Sequence, residues 1–128
     1  MFRQKGKKYN NKIIINEYGK FDSKKEYQHF LILFERQSRG EISDLERQKK
    51  YVLIPPYREE YEKKLKTKVK ILSRCIEKEC SYFADFTYTE NGVTVVEDTK
   101  SFITHKNPVF IIKRKLMLNR YGIKIKEV

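Results

Sequence analysis

The stretch YFADFTYTENGVTVVEDTK, residues 82–100, decides the fold because two β-rich runs flank Asn91-Gly92 at its centre. Asn-Gly between such runs is typical of a two-residue type I′ turn, so the stretch predicts a β-hairpin. The turn also fixes the register of the two strands. Counting outward from it places Asp85 directly opposite Asp98, with their Cβ atoms about 4.5 Å apart.

Alternation of side chains along the strands places three charged residues on one face of this hairpin. With a period of two, Asp85, Asp98 and Lys100 share that face, whereas Glu97 points the other way beside Phe86. Opposed like charges destabilise a sheet, and a hard divalent cation such as Mg²⁺ would reverse the sign of that interaction. Two acids and a lysine on one sheet face are the parts of a metal-dependent phosphodiester hydrolase.

Two other interpretations of this hairpin stay open at the level of sequence. The pattern is equally consistent with a surface hairpin that carries scattered charges. A β-bulge between Asp85 and Asp98 would shift the register and bring Glu97 to the acidic face instead.

The composition predicts a single domain, residues 1–128, with a polyanionic partner. The 29 Lys and Arg residues exceed the 17 Asp and Glu residues, which gives a formal net charge of +12. Such an excess favours nucleic acid first and an anionic membrane surface second. No apolar run approaches the roughly 18 residues of a membrane span, no signal peptide is visible, and two cysteines are too few for a disulfide framework. We therefore expect a cytoplasmic protein without a membrane segment.

A helix with two candidate site residues precedes the first long strand. Ser23 and Glu26 form a capping box, and the helix that follows runs to about Ser38, with Gly40 as its stop. The Glu26 carboxylate either caps the helix or reaches a metal site on the sheet, because Glu26 borders the apolar stripe of the helix. Gln48, at the entrance of the next strand, either faces that site or is solvated.

The remaining elements complete a mixed sheet covered by helices. Residues 41–46 read as a connector, and Gln48–Ile54 reads as a strand. Asn107-Pro108 is a good N-cap and N1 pair for a second helix that ends at Gly122, and residues 123–128 alternate as a final strand. This order predicts an α/β protein, in the sense of an α+β fold with a mixed sheet.

Two basic segments lie outside this core. Residues 1–12 form an arm that cannot pack by itself and is mobile or ordered only on a partner. Residues 57–80 form a basic insert of uncertain structure: Glu–Lys spacings in 57–65 suit a short exposed helix, and Val69–Leu72 suits a helix or a strand. The insert is either a flexible segment near a polyanion or a solvated charged surface.

Four phrases of the chain resemble the PD-(D/E)XK nuclease superfamily, and in particular a family of small phage proteins described as endonucleases and Holliday junction resolvases. The phrases are FDSKKE (21–26), GEISDLERQ (40–48), ADFTY (84–88) and VVEDTK (95–100). The resemblance implies a restriction-endonuclease-like core with the order helix, strand, strand, strand, helix, strand. Two features depart from that family: Ala84 replaces the usual proline, and the 57–80 insert is longer.

The resemblance also implies a role for each candidate site residue. Asp85 and Asp98 would bind Mg²⁺ or Mn²⁺, and Lys100 would orient the attacking water and stabilise charge on the phosphate. Glu26 would complete the shell of the ion. Gln48 and, if a bulge is present, Glu97 are further candidate contacts on the basis of their positions in the strands alone. The implied activity is a metal-dependent endodeoxyribonuclease, selective for the structure of branched DNA.

Basic side chains would position the DNA without reading much of its sequence. The residues expected to contact phosphate are Lys7, Lys8, Lys24, Lys106, Lys113 and Arg114. A four-way junction is two-fold symmetric, so paired cuts imply a homodimer. The alternative is a non-catalytic nucleic-acid-binding or regulatory protein on the same fold, which would share the charge but not the cleavage.

Overall fold

The structure is a computed structural model that describes residues 12–99 and 104–128. The elements in these ranges are β1 (Ile14–Asn16), β2 (Gly19–Phe21), α1 (Lys24–Ser38), β3 (Ser43–Ile54), β4 (Tyr57–Lys64), β5 (Val69–Glu77), β6 (Cys80–Glu90), β7 (Val93–Asp98), a 3₁₀ helix (Thr104–Lys106), α2 (Pro108–Tyr121) and β8 (Lys126–Glu127). Three predicted functional residues, Lys7, Lys8 and Lys100, lie outside the described residues, as does most of the predicted basic arm.

A four-stranded mixed sheet in the order β3-β6-β7-β8 forms the centre of the fold. The β3–β6 and β6–β7 pairs are antiparallel, whereas β8 joins β7 in parallel after the α2 crossover. The protein is therefore a mixed α+β structure with a mixed sheet and two α-helices in its described part, which confirms the predicted class at this level. None of the helices in these ranges is long and apolar enough to cross a membrane.

The β6–β7 hairpin forms as predicted around a two-residue turn. Asn91 and Gly92 have φ values of +51° and +76°, and a type I′ turn requires positive φ at both positions. The predicted register is confirmed for the five pairs from Glu90–Val93 to Phe86–Glu97, without a shift. The paired ladder ends there, one step before Asp85 and Asp98.

Both helices begin and end where the capping residues predict. The Ser23 side chain accepts a hydrogen bond from the Glu26 backbone N–H at 3.1 Å, at the start of α1. Asn107 Oδ1 accepts one from the Val109 backbone N–H at 2.8 Å, at the start of α2. Gly122 ends α2 with a φ of +67°, a left-handed conformation that glycine adopts without steric cost.

The core consists of two clusters, one against each helix. The α1 cluster contains Phe21, Phe30, Leu33, Ile42, Phe86 and Tyr88. The α2 cluster contains Tyr51, Leu53, Tyr82, Ala84, Val96, Phe110, Met117 and Ile125. Phe86 pairs with Glu97, so Val96, the neighbour of Glu97, faces the other side of the hairpin. The β6–β7 hairpin is thus the middle layer between the two helices.

Strand β6 changes the face it presents to the helices at Asp85. Along Tyr82, Ala84, Phe86 and Tyr88, the first two side chains pack in the α2 cluster and the last two in the α1 cluster. In a regular strand all four would share one face, because side chains alternate with a period of two. Because of this irregularity, one part of β6 packs in the α2 cluster and the other part packs in the α1 cluster. Asp85 lies between the two parts.

The first long strand is longer than the sequence indicates, and the predicted 41–46 connector is wrong. Strand β3 begins at Ser43, which pairs with Thr89, and a register shift follows before Glu46 pairs with Thr87. Asp44, inside this shift, has a φ of +55°. The irregularity interrupts the period-two pattern by which a strand is recognised in sequence.

The insert at 57–80 contains a two-stranded antiparallel ribbon, β4–β5, so the helix expected over 57–65 is wrong. Glu–Lys pairs on an isolated helix contribute only about 0.2–0.5 kcal/mol each. In the ribbon one of these acids has a basic cross-strand partner: Glu59 pairs with Arg74, and their side chains lie 3.7 Å apart. The ribbon is almost entirely exposed, with Leu72 its single half-buried residue.

Candidate active site

The site is assembled by one glutamine that joins α1, β3 and β6. Gln48 lies between Arg47 and Lys49, which pair with the two neighbours of Asp85, Phe86 and Ala84, and it has a φ of +53°. Its Nε2 donates to Oε1 of Glu26 at 3.3 Å and to Oδ1 of Asp85 at 3.2 Å. The structure therefore brings together three of the predicted site residues through a single amide.

The second oxygen of Asp85 holds the end of β7. Its Oδ2 accepts hydrogen bonds from the backbone N–H of Thr99 at 2.9 Å and from the Thr99 hydroxyl at 2.8 Å. Thr99 follows Asp98 directly, so Asp85 fixes the chain next to the second acid. Asp85 and Asp98 are not a paired position of the β6–β7 ladder. The hydrogen bond from Thr99 to Asp85 connects the two positions instead.

Asp98 is almost fully buried and is held by a tyrosine. The Tyr82 hydroxyl donates to Oδ2 of Asp98 at 2.6 Å. Burial raises the pKa of Tyr82, and the negative charges of Asp98 and Asp85 raise it further, so the hydroxyl stays protonated and donates. Since both carboxylates act on one phenol group, the two acids belong to the same electrostatic site.

Glu26 carries its negative charge in a buried position. Only 4% of the residue is exposed, and Nη2 of Arg47 lies 3.5 Å from its Oε1. Burial raises the pKa of Glu26, repulsion from Asp85 and Asp22 adds to the effect, and together they outweigh the attraction of Arg47. The Ser23 half of the capping box is present, but the Glu26 carboxylate is directed to Gln48 and Arg47.

Carboxylates clustered in this way attract a cation, but they do not enclose one. Across residues 12–99 and 104–128, no group of three or more His, Cys, Asp and Glu side chains is arranged to hold a metal ion. An ion at this site would take one or two carboxylates from the described residues. Mg²⁺ is commonly bound in that way, with water and substrate phosphate as its other ligands. The oxygen donors present therefore fit a hard divalent cation.

Glu97 lies on the other side of the sheet and does not join this site. Its Oε2 is 2.5 Å from His29 Nε2, its Oε1 accepts from the Tyr88 hydroxyl at 2.5 Å, and Lys126 Nζ lies 3.6 Å away. The expected contact of Glu97 with the site required a bulge. The β6–β7 ladder has no register shift, so Glu97 faces α1.

The basic residues expected to contact DNA are placed in several parts of the described structure. Lys24, at the first position of α1, and Lys106 are exposed. Lys113 lines an open cavity that also contains Lys50, whereas Arg114 lines a different cavity.

Two residues of the site were missed by sequence reasoning, Tyr82 and Arg47. With simple alternation Tyr82 would lie on the face opposite Asp98, and only the change of face at Asp85 brings its hydroxyl to that carboxylate. Arg47 packs its guanidinium 3.6 Å from the centre of the Phe21 ring and donates to the Lys20 carbonyl at 2.6 Å. No local motif marks either contact.

Removing the charge of Glu26 should stabilise the metal-free protein at neutral pH. A raised folded-state pKa means that stability from this group is present below its ordinary value of 4.5 and is lost as the pH rises through the folded-state pKa. Glu26→Gln should therefore raise the thermal unfolding midpoint at pH 7 in EDTA, and the gain should vanish below about pH 4.

The matched control for this prediction is Glu35→Gln, on the exposed side of the same helix, where Glu35 pairs only with Arg39 in the contacts described. It should shift the midpoint little at either pH. A wild-type protein that is more stable than Glu26→Gln at pH 7 in EDTA would contradict the repulsion inferred at this site.

Comparison with known proteins identifies a family. A family model described as a protein of unknown function (DUF1064) matches residues 6–127. No curated protein and no solved structure matches the chain. The function must therefore be argued from the geometry of the site.

Proposed function

The chain belongs to the DUF1064 family, and we propose that it is a metal-dependent endodeoxyribonuclease that hydrolyses DNA phosphodiester bonds. The observation that carries the proposal is that Gln48 joins the acids of α1 and β6, Glu26 and Asp85, and that Asp85 in turn holds Thr99, the residue after Asp98. The order α1, β3, β6, β7, α2, β8 supports it, because it matches the restriction-endonuclease-like core that the sequence resembles once the β4–β5 ribbon is set aside.

The electrostatics of the site support the binding of a divalent cation. Burial and the charge of Asp85 raise the pKa of Glu26, so the acids repel one another in the protein alone. Asp85 and Asp98 would hold Mg²⁺ or Mn²⁺, and Glu26 would complete the site through Gln48. When bound, such an ion polarises a phosphoryl oxygen and lowers the pKa of a bound water.

The side chains around the acids would keep them in position for this chemistry. Tyr82 fixes one oxygen of Asp98 through its hydroxyl. Asp85 anchors Thr99, the last described residue before the segment that carries Lys100. In the proposed role, Lys100 places a positive charge where negative charge develops on the phosphate.

The charge of the chain supports DNA as the substrate. With a net charge of +12, the protein would bind phosphates strongly at low salt. The proposed phosphate contacts are Lys7, Lys8, Lys24, Lys106, Lys113 and Arg114. Such contacts position DNA but read little sequence, which suits an enzyme selective for branched DNA, acting as a homodimer in the cytoplasm.

A second candidate function is a non-catalytic DNA-binding protein on the same fold. The observation that favours it is the lack, among the described residues, of three grouped metal-ligating side chains. The two candidates share their charge and differ only in cleavage, so cleavage is the measurement that separates them.

The test is a panel of labelled DNA molecules incubated with purified protein. The panel contains a four-way junction, a fork, a nicked duplex and a linear duplex, each with Mg²⁺, with Mn²⁺ and with EDTA. We expect metal-dependent cuts, most of them on the branched molecules, and no cuts in EDTA. Binding without any cleavage in either metal would favour the non-catalytic candidate.

A further inference from the structure

The β4–β5 ribbon stands apart from the rest of the described structure. Its strands pair with each other, whereas the four-stranded sheet contains other strands. No residue of the ribbon belongs to either core cluster. The ribbon leaves the sheet between Ile54 and Cys80, which are themselves paired across β3 and β6. It is therefore an attachment that the core does not need for packing.

The base of the ribbon is stabilised by side-chain contacts across its two strands. Arg58 Nε donates to the Ser73 hydroxyl at 2.9 Å, and Glu59 lies 3.7 Å from Arg74. The Arg74 guanidinium also lies 5.3 Å from the centre of the Tyr61 ring. Acids outnumber basic residues in this half, with Glu59, Glu60, Glu62 and Glu77 against Arg58 and Arg74.

The tip of the ribbon, residues 63–70, has the opposite character. It contains five lysines and no acid, and these are Lys63, Lys64, Lys66, Lys68 and Lys70. Lys63 and Lys70 are directly paired across the strands. Opposed like charges cost a fraction of a kcal/mol to about 1 kcal/mol, and an isolated two-stranded ribbon is marginally stable in water. A polyanion bound at the tip would offset that cost.

We propose that this tip, residues 63–70, binds the phosphate backbone of duplex DNA, with the ribbon lying along a groove. The inference rests on DNA being the substrate in the proposed function. The major groove of B-DNA is about 12 Å wide and admits a two-stranded ribbon. Because residues 63–70 fold back with Lys63 paired to Lys70, the tip is about four residues long, roughly 13 Å or the rise of about four base pairs. In this proposal the tip contacts DNA beside the bond that is cut.

The test compares two sets of substitutions at four tip lysines, in protein without metal. One variant carries Lys63→Gln, Lys66→Gln, Lys68→Gln and Lys70→Gln, and the matched control carries arginine at the same four positions. Binding to a labelled duplex and to a four-way junction is measured by fluorescence anisotropy over a range of salt. Circular dichroism and the thermal midpoint establish that both variants are folded.

We expect the glutamine variant to lose about 10- to 100-fold in affinity at moderate salt, and the arginine variant to bind like the wild type. The slope of log affinity against log salt should fall by up to about 3.6, because each lost phosphate contact removes about 0.9. Equal affinity and equal slope in the glutamine variant would overturn the proposal. So would a wild-type protein that binds no DNA at low salt.

Excision of the ribbon gives an independent measurement. Replacing residues 55–78 with a short glycine-rich turn joins the paired ends of β3 and β6 and leaves both core clusters intact. Tip-dependent binding without cleavage would retain the ribbon inference and remove the nuclease proposal. If the wild type cuts DNA, and cleavage and binding are unchanged in the tip variant and after excision, the nuclease proposal is retained and the ribbon inference is removed. If the excised chain does not fold, the lysine substitutions decide.

Discussion

Asp98→Asn should lower the rate of metal-dependent DNA cleavage by on the order of a thousandfold and leave DNA affinity within about twofold. The substitution keeps the shape of the side chain and an oxygen that can accept from Tyr82, so the fold is preserved. It removes the negative charge that would hold the cation. Initial cleavage rates on the preferred DNA of the panel, measured with Mg²⁺ at saturating protein, test this expectation.

The matched control for this prediction is Asp44→Asn in β3. Asp44 is exposed and has a φ of +55°, a conformation that asparagine tolerates well. Its cleavage rate should equal that of the wild type. If Asp98→Asn cut DNA at the wild-type rate, the proposed binding of a metal ion by Asp98 would be wrong.

Glu97→Ala should cause the largest loss of stability, about 3 kcal/mol, because it leaves the buried Tyr88 hydroxyl and the half-buried His29 without their acceptor. Glu97 is 2% exposed and is bound by His29 and Tyr88. For a chain of this size the thermal midpoint should fall by about 10 °C. Urea unfolding followed by circular dichroism measures the free energy. Glu46→Ala, an exposed glutamate on β3, is the control and should change the stability by less than about 0.5 kcal/mol.

The loss caused by Glu97→Ala should depend on pH in the direction opposite to Glu26. Burial alone would raise the pKa of Glu97, but the hydrogen bonds from His29 and Tyr88 and the nearby charge of Lys126 outweigh it and lower the pKa. Stability from Glu97 is therefore present above its ordinary value of 4.5 and lost as the pH falls through the folded-state pKa. A destabilisation that stays constant from pH 7 to pH 3 would contradict this account.

The opposite pKa shifts of these two glutamates indicate a structural role for Glu97 and a functional role for Glu26. Glu97 is held by donors that favour its charged form, which is the arrangement of a residue that stabilises the fold. Glu26 is held where its charge is disfavoured. Natural proteins retain such unfavourable charges mainly where a ligand or a reaction requires them.

The parts of the fold that could be predicted are those whose cause is local in sequence. Asn91-Gly92 determined the hairpin and its register, and Ser23 and Asn107 determined the starts of the helices. Each of these signals acts through backbone conformation or a hydrogen bond within a few residues. The mixed sheet followed from the order of the elements.

The parts that could not be predicted depend on contacts between distant residues or on breaks in periodicity. Tyr82 reaches Asp98 because β6 changes face at Asp85. A single irregular position moves every side chain beyond it to the face opposite the one that alternation predicts. His29, on α1, contacts Glu97, a residue far along the chain, and no local signal indicates this contact. The ribbon took the place of a predicted helix because residues 57–64 pair with residues 69–77, which no spacing within 57–65 indicates.

The position of the ribbon between two paired residues has a consequence for divergence within the family. Because Ile54 and Cys80 already lie on the same rung of the sheet, the segment between them can lengthen, shorten or change sequence without moving either strand. The ribbon, which would bind the DNA, can then vary independently of the acidic site, which would cleave it. Relatives with one chemistry could in this way acquire different preferences by exchanging a single excursion of the chain.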